Sequence, residues 1–194
     1  MNKLLSAVVL LALVTSVGWA DVPDPEYCQV LPVDGYDFQR LTGLPVEDGS
    51  SYAEIDVYVR ASGGVDIENA FVEIVFDPAC DDALCMCTNF VTTGSTAANG
   101  LVEFNLKFGG CCEYPVAAII WADGVQIRGY EVVVSPDRYG SPLGGANCAT
   151  ELDDFADFVN NRDMPGCTDY TGDGTTNLAD FAVFADAWGK TCVH

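Results

Sequence analysis

Residues 169–188 read Asp169-Tyr-Thr-Gly-Asp-Gly-Thr-Thr-Asn-Leu-Ala-Asp180-Phe-Ala-Val-Phe-Ala-Asp-Ala-Trp188, an oxygen-rich loop that runs directly into an amphipathic segment. Leu178, Phe181, Phe184, Ala185 and Trp188 recur at helical spacing and share one face, and Gly189 supplies the stop. Hard cations take six to eight oxygens, and a twelve-residue loop offers them at positions 1, 3, 5, 7, 9 and 12 with glycine at 6 for the turn. Those positions fall on Asp169, Thr171, Asp173, the Thr175 carbonyl, Asn177 and Asp180, with Gly174 at the turn. The expected cofactor is one calcium ion. An Asp/Gly-rich turn that merely capped a surface helix would need neither the glycine at 6 nor the carboxylate at 12.

A weaker copy lies 26 residues upstream, where Leu152-Asp-Asp-Phe-Ala-Asp-Phe158 aligns with Leu178-Ala-Asp-Phe-Ala-Val-Phe184. Asp154 then matches Asp180, and Phe155 and Phe158 match Phe181 and Phe184. The same offset puts Leu143, Gly145, Asn147, Cys148 and Glu151 at positions 1, 3, 5, 6 and 9, a set that does not chelate calcium. The upstream half keeps its helix and has lost most ligands. An Asp at position 12 and two loop-helix halves resemble the dockerin family, which implies a module over 143–194 with an intact repeat at 169–190 and a degenerate one at 143–164. In that family loop positions 10 and 11 help to read the partner, a cohesin; here they are Leu178 and Ala179, less polar than the family's usual residues.

The N-terminus carries Lys3, an apolar run from Leu4 to Val14, and small residues at Gly18 and Ala20. This is the pattern of a secretory signal peptide over 1–20, because the run is too short to span a bilayer. A formal charge of −21 argues against nucleic-acid partners and anionic membranes. No transmembrane segment is expected. All nine cysteines, Cys28, Cys80, Cys85, Cys87, Cys111, Cys112, Cys148, Cys167 and Cys192, follow the signal and are disulfide candidates. The group Cys80, Cys85, Cys87, Cys111 and Cys112 lacks C-x-x-C spacing, which favours bridges over zinc or an iron–sulfur cluster. The odd count leaves one thiol free or paired between chains, so self-assembly stays open. Cys148 and Cys192 flank the helical pair, and a clasp between them is the expected bridge.

Between signal and helices, residues 21–136 read as β structure. Ala53, Ile55, Val57 and Val59 alternate with Glu54, Asp56, Tyr58 and Arg60; Val102, Phe104, Leu106 and Phe108 alternate with Glu103, Asn105 and Lys107. Further strands are expected at 29–31, 70–76, 86–91, 116–122 and 125–134, with Asp123-Gly124 as a hairpin turn. Residues 137–146 read as a linker. The stretches 57–76 and 93–104 resemble bacterial Ig-like domains of the invasin/intimin kind. The expected fold class is therefore mainly β with a small α module: an Ig-like β-sandwich followed by a dockerin-like two-helix calcium-binding domain.

Catalysis finds little support. The only histidine is the terminal His194, no phosphate-binding loop is present, and acids such as Asp56 and Glu103 sit on wet strand faces. The expectation is a secreted, non-catalytic structural, adhesive or protein-interaction protein of a bacterial cell surface or extracellular matrix, whose partner is another extracellular or cell-surface protein. The alternative is a carbohydrate-binding subunit of a polysaccharide-degrading complex, docked to a cohesin-like protein, with Tyr52 and Tyr58 as candidate sugar-stacking rings.

Overall fold

A computed structural model of the chain describes residues 22–31, 40–46, 53–138 and 145–193. The expected signal peptide, linker residues 139–144, Leu143, Tyr52 and His194 lie outside them. The described residues are mainly β with a small helical module of two α-helices.

The strands, in chain order, are β1 (Gln29–Leu31), β2 (Arg40–Thr42), β3 (Glu54–Tyr58), β4 (Arg60–Ala61), β5 (Val65–Asp66), β6 (Phe71–Phe76), β7 (Leu84–Met86), β8 (Thr93–Ser95), β9 (Leu101–Asn105), β10 (Phe108–Ala122) and β11 (Val125–Val134). One sheet runs β1-β3-β9; a larger one runs β2-β11-β10-β6-β8, with β7 paired to the start of β10; β4 and β5 form a short ribbon. All pairings are antiparallel except β2 with β11. Alternation decides which residues go inside. Ile55, Val57 and Phe104 from the first sheet join Val72, Ile74, Ile120 and Val133 from the second in one apolar core, while Glu54 and Glu103 stay exposed. Asp123 and Gly124, at φ 46° and 79°, make the expected hairpin turn between β10 and β11.

Three strand expectations are corrected. The strand expected at 86–91 lies instead at Leu84–Met86, and the chain turns at Thr88 and Asn89. The run from Val102 to Phe108 is not one strand: β9 ends at Asn105 and β10 begins at Phe108, paired with β7 instead of β3. Gly109, just past the junction, leaves room for the buried Asp137 carboxylate, since a Cβ there would stand 1.8 Å from it. The strand expected at 116–122 extends back to Phe108 across an irregularity between Glu113 and Ala118. Pro115 falls inside it, where a missing N–H costs no ladder bond.

Strand parity also sets the disulfides. Cys111 and Cys112 are neighbours on β10 and face opposite ways: Cys112 bridges to Cys80, and Cys111 to Cys167. Cys85, on β7, and Cys87, two residues on, bridge to Cys148 and Cys192. The expected Cys148–Cys192 clasp is thus replaced. The two residues are adjacent, with Cys192 N donating to Cys148 O at 2.9 Å, but each is taken by the sheet. Cys28 is the one free thiol, half-buried between the backbone N–H and carbonyl of Arg60.

The helices α1 (Leu152–Asn160) and α2 (Leu178–Ala187) begin with the same device. Asp154 accepts from Glu151 N and Asp180 from Asn177 N, each at 2.8 Å, so the third helical residue reaches back over its cap. Phe158 meets Phe184 at 5.5 Å between ring centroids, Phe181 at 5.9 Å and Tyr170 at 6.1 Å. Asp137, the first residue of the expected linker, is fully buried. Among the described residues no helix is long and apolar enough to cross a membrane.

Each bridge constrains the unfolded chain by about 2–4 kcal/mol. Intact-mass analysis with alkylation should find one reactive thiol per chain, at Cys28, and reductant should lower the melting temperature by well over ten degrees. Five or more free thiols would overturn this pairing.

Candidate metal centre

Loop 169–180 bends so that Asp169, Asp173 and Asp180 each place a carboxylate oxygen within 4.8 Å of the others. Asp169 and Asp180 are buried, whereas Asp173 lies at the surface. At that separation two buried carboxylates repel by roughly 3 kcal/mol at an effective dielectric constant of about 20. The loop offsets this with backbone donors. Asp169 accepts from Gly172 N at 2.9 Å, Asp173 N at 3.2 Å and Gly174 N at 2.9 Å. Asp180 Oδ1 accepts from Thr171 N at 2.8 Å and Thr171 Oγ1 at 3.0 Å, while its Oδ2 caps the helix. Gly174 has φ 92°, a left-handed turn with open space about its Cα.

The predicted ligand positions do not all converge equally. Thr171 Oγ1 faces the centre through Asp180. The Thr175 carbonyl accepts from Asn177 Nδ2 at 3.0 Å, and the same amide nitrogen donates to Asp173 Oδ2 at 2.6 Å. Asn177 Oδ1 is committed to Ala179 N at 2.7 Å. Three carboxylates and a hydroxyl therefore form the centre, with the Thr175 carbonyl and Asn177 at its rim. Burial raises the pKa of Asp169; Arg40 opposes that rise and Asp180 adds to it. For Asp173 the small desolvation is outweighed by hydrogen bonds from Asn177 and Thr175, and the pKa falls. An all-oxygen set of hard donors fits calcium or a similar cation far better than zinc. Leu178 and Ala179 are exposed where the loop becomes α2.

The upstream copy holds its matching carboxylate much as Asp180 is held by Thr171 N and Asn177 N. Asp154 Oδ1 accepts from Arg138 N at 2.6 Å and Oδ2 from Glu151 N, so protein donors hold both oxygens. Constant-offset alignment puts Leu143 in the place of Asp169. The buried carboxylate beside Asp154 is instead Asp137, whose Oδ1 accepts from Asn147 N at 3.2 Å and whose Oδ2 has no partner among the described residues. Sequence reading missed it because the spacing from Asp137 to Asp154 exceeds that from Asp169 to Asp180. A buried basic residue was missed as well: Arg40, on β2, reaches the backbone of the loop at Gly166 and Asp169.

Asp56 and Glu103 are cross-strand partners on the wet face of the first sheet, and with Glu54 their oxygens lie within 4.8 Å. The Tyr58 ring is covered by the Arg60 guanidinium at 5.2 Å. Comparison of the chain with protein-family models, curated proteins and solved structures returns no match.

Burial pushes the Asp137 pKa up from 3.8 to about 7, with Asn147 N opposing and Asp154 reinforcing. A raised carboxyl pKa means that the folded state holds the proton more tightly than the unfolded one. Stability should therefore fall as pH rises from about 4 to about 7 and level off above. Asp137→Asn should melt like the parent near pH 4 and above it at pH 7.5; equal melting temperatures at both values would contradict this.

Proposed function

We propose that the protein is a secreted, non-catalytic calcium-binding structural, adhesive or protein-interaction protein of a bacterial cell surface or extracellular matrix. The observation that carries the reading is the convergence of Asp169, Asp173 and Asp180 within 4.8 Å at the head of α2. Calcium there would be held by these carboxylates, with Thr171, the Thr175 carbonyl and Asn177 completing an oxygen shell. The resemblance to dockerin repeats supports the same assignment, and four bridges are in keeping with an oxidising compartment.

The partner surface in this reading is the outer face of the helical pair. Leu152, Phe155, Phe181, Phe184, Ala185 and Trp188 line an apolar groove of about 380 Å³. Leu178 and Ala179 are exposed at the loop end of the same helix. Asp180 links ion and surface, since one carboxylate would hold calcium and start the helix whose far face lines the groove.

Calorimetry of the parent should give one calcium per chain, and Asp173→Ala should weaken binding by orders of magnitude. Calcium at about 100 times its dissociation constant should stabilise the fold by roughly 2.7 kcal/mol. Equal affinity in the variant would sink the assignment, and a stoichiometry of two would show that the upstream copy also binds.

A further inference from the structure

We propose that Arg40, on the parallel edge strand β2, is a positioning residue of the metal centre, so that the β sheet itself forms one wall of the ion site. This rests on the calcium reading above. Pairing of β2 with β11 sets Arg40, Leu41 and Thr42 against Val132, Val133 and Val134. Alternation sends Leu41 into the core and turns Arg40 and Thr42 together toward the loop. Arg40 Nη1 donates to Gly166 O at 2.9 Å and to Asp169 O at 2.5 Å, and Thr42 Oγ1 donates to Tyr170 O at 2.7 Å. The Cys111–Cys167 bridge ties the same stretch to β10. The backbone at the first two loop positions is therefore held from outside the loop.

The charge geometry suits a metal site. Arg40 Nη2 stands 3.8 Å from Asp169 Oδ2, too far for a hydrogen bond. Nη1 alone serves the two backbone carbonyls, and Asp169 Oδ2 accepts from Gly174 N and not from the guanidinium, which leaves it a lone pair for a cation. Its side chain is only 9 % exposed, so its charge is poorly screened. Together with Arg40, the three carboxylates carry a formal charge of two minus, which one divalent cation neutralises.

Two roles for Arg40 predict opposite signs. A bystander cation next to a ligand weakens calcium binding by repulsion, and removing it would tighten binding. A positioning residue weakens binding when lost. Calcium calorimetry on the full secreted chain should find Arg40→Gln about 10- to 100-fold weaker than the parent. Arg40→Lys should also lose affinity, because the shorter lysine side chain keeps the charge but does not carry its ammonium to the point from which Nη1 serves both carbonyls. Thr42→Val should lose less. Melting without calcium provides the control: a purely structural role would lower that temperature and leave the dissociation constant unchanged. If the parent binds calcium and Arg40→Gln binds equally or more tightly, the proposal is overturned. A parent that binds no calcium refutes the calcium reading itself. Should Arg40→Gln fail to fold by circular dichroism, Arg40→Lys and Thr42→Val decide on the same criterion, parental affinity in both being contrary.

Discussion

Three covalent ties join the β sheets to the helical module, and side-chain alternation at Cys85, Cys87 and Cys111 governs where they go. Cys85 and Cys87, two residues apart, reach toward the same neighbour, the paired segments that carry Cys148 and Cys192. Cys111 faces away from Cys112 and so reaches the lead into loop 169–180 at Cys167, while Cys112 bridges to Cys80. These bridges close loops of 63, 105 and 56 residues. Loops of that size each remove about 4 kcal/mol of unfolded-chain entropy in the chain-entropy account. A module of two short helices, with few residues to bury, gains its fixed position largely from them.

Within that frame the two halves of the helical module divide one design between two uses. Both start a helix with an aspartate that reaches back over its cap, and both follow it with a Phe-x-x-Phe pair that packs across the module. In the second half the aspartate also faces two other carboxylates at the centre for which calcium is proposed. Backbone donors hold the aspartate oxygens in both halves, but in the first the second buried acid, Asp137, is pressed against Gly109 of β10. The first half is thereby tied to the sheet, and desolvation raises the pKa of its buried acid, Asp137.

The loop, its helix and the β alternation were all legible in the residues because each is a local rule. Position 6 glycine, position 12 carboxylate and the 3.6-residue apolar spacing act within a few residues of one another, as does the two-residue alternation of Ile55 and Val57. The hairpin at Asp123-Gly124 and the short strand at 29–31 were legible for the same reason. Strand β2 was not. Arg40-Leu41-Thr42 is three residues long and has no alternating run; its parallel partner β11 lies some ninety residues downstream.

What the sequence determined by itself was the class of most elements and the oxygen donors that one loop offers, since backbone turn geometry and donor type are set by neighbours along the chain. Tertiary structure decided the partners: which cysteines bridge, where β9 hands over to β10, that Asp137 is buried, and that Arg40 sits beside Asp169. Those outcomes depend on which face each strand presents to residues far away in sequence. Alternation says that a side chain points to one side, and only the assembled sheets and helices determine what stands there.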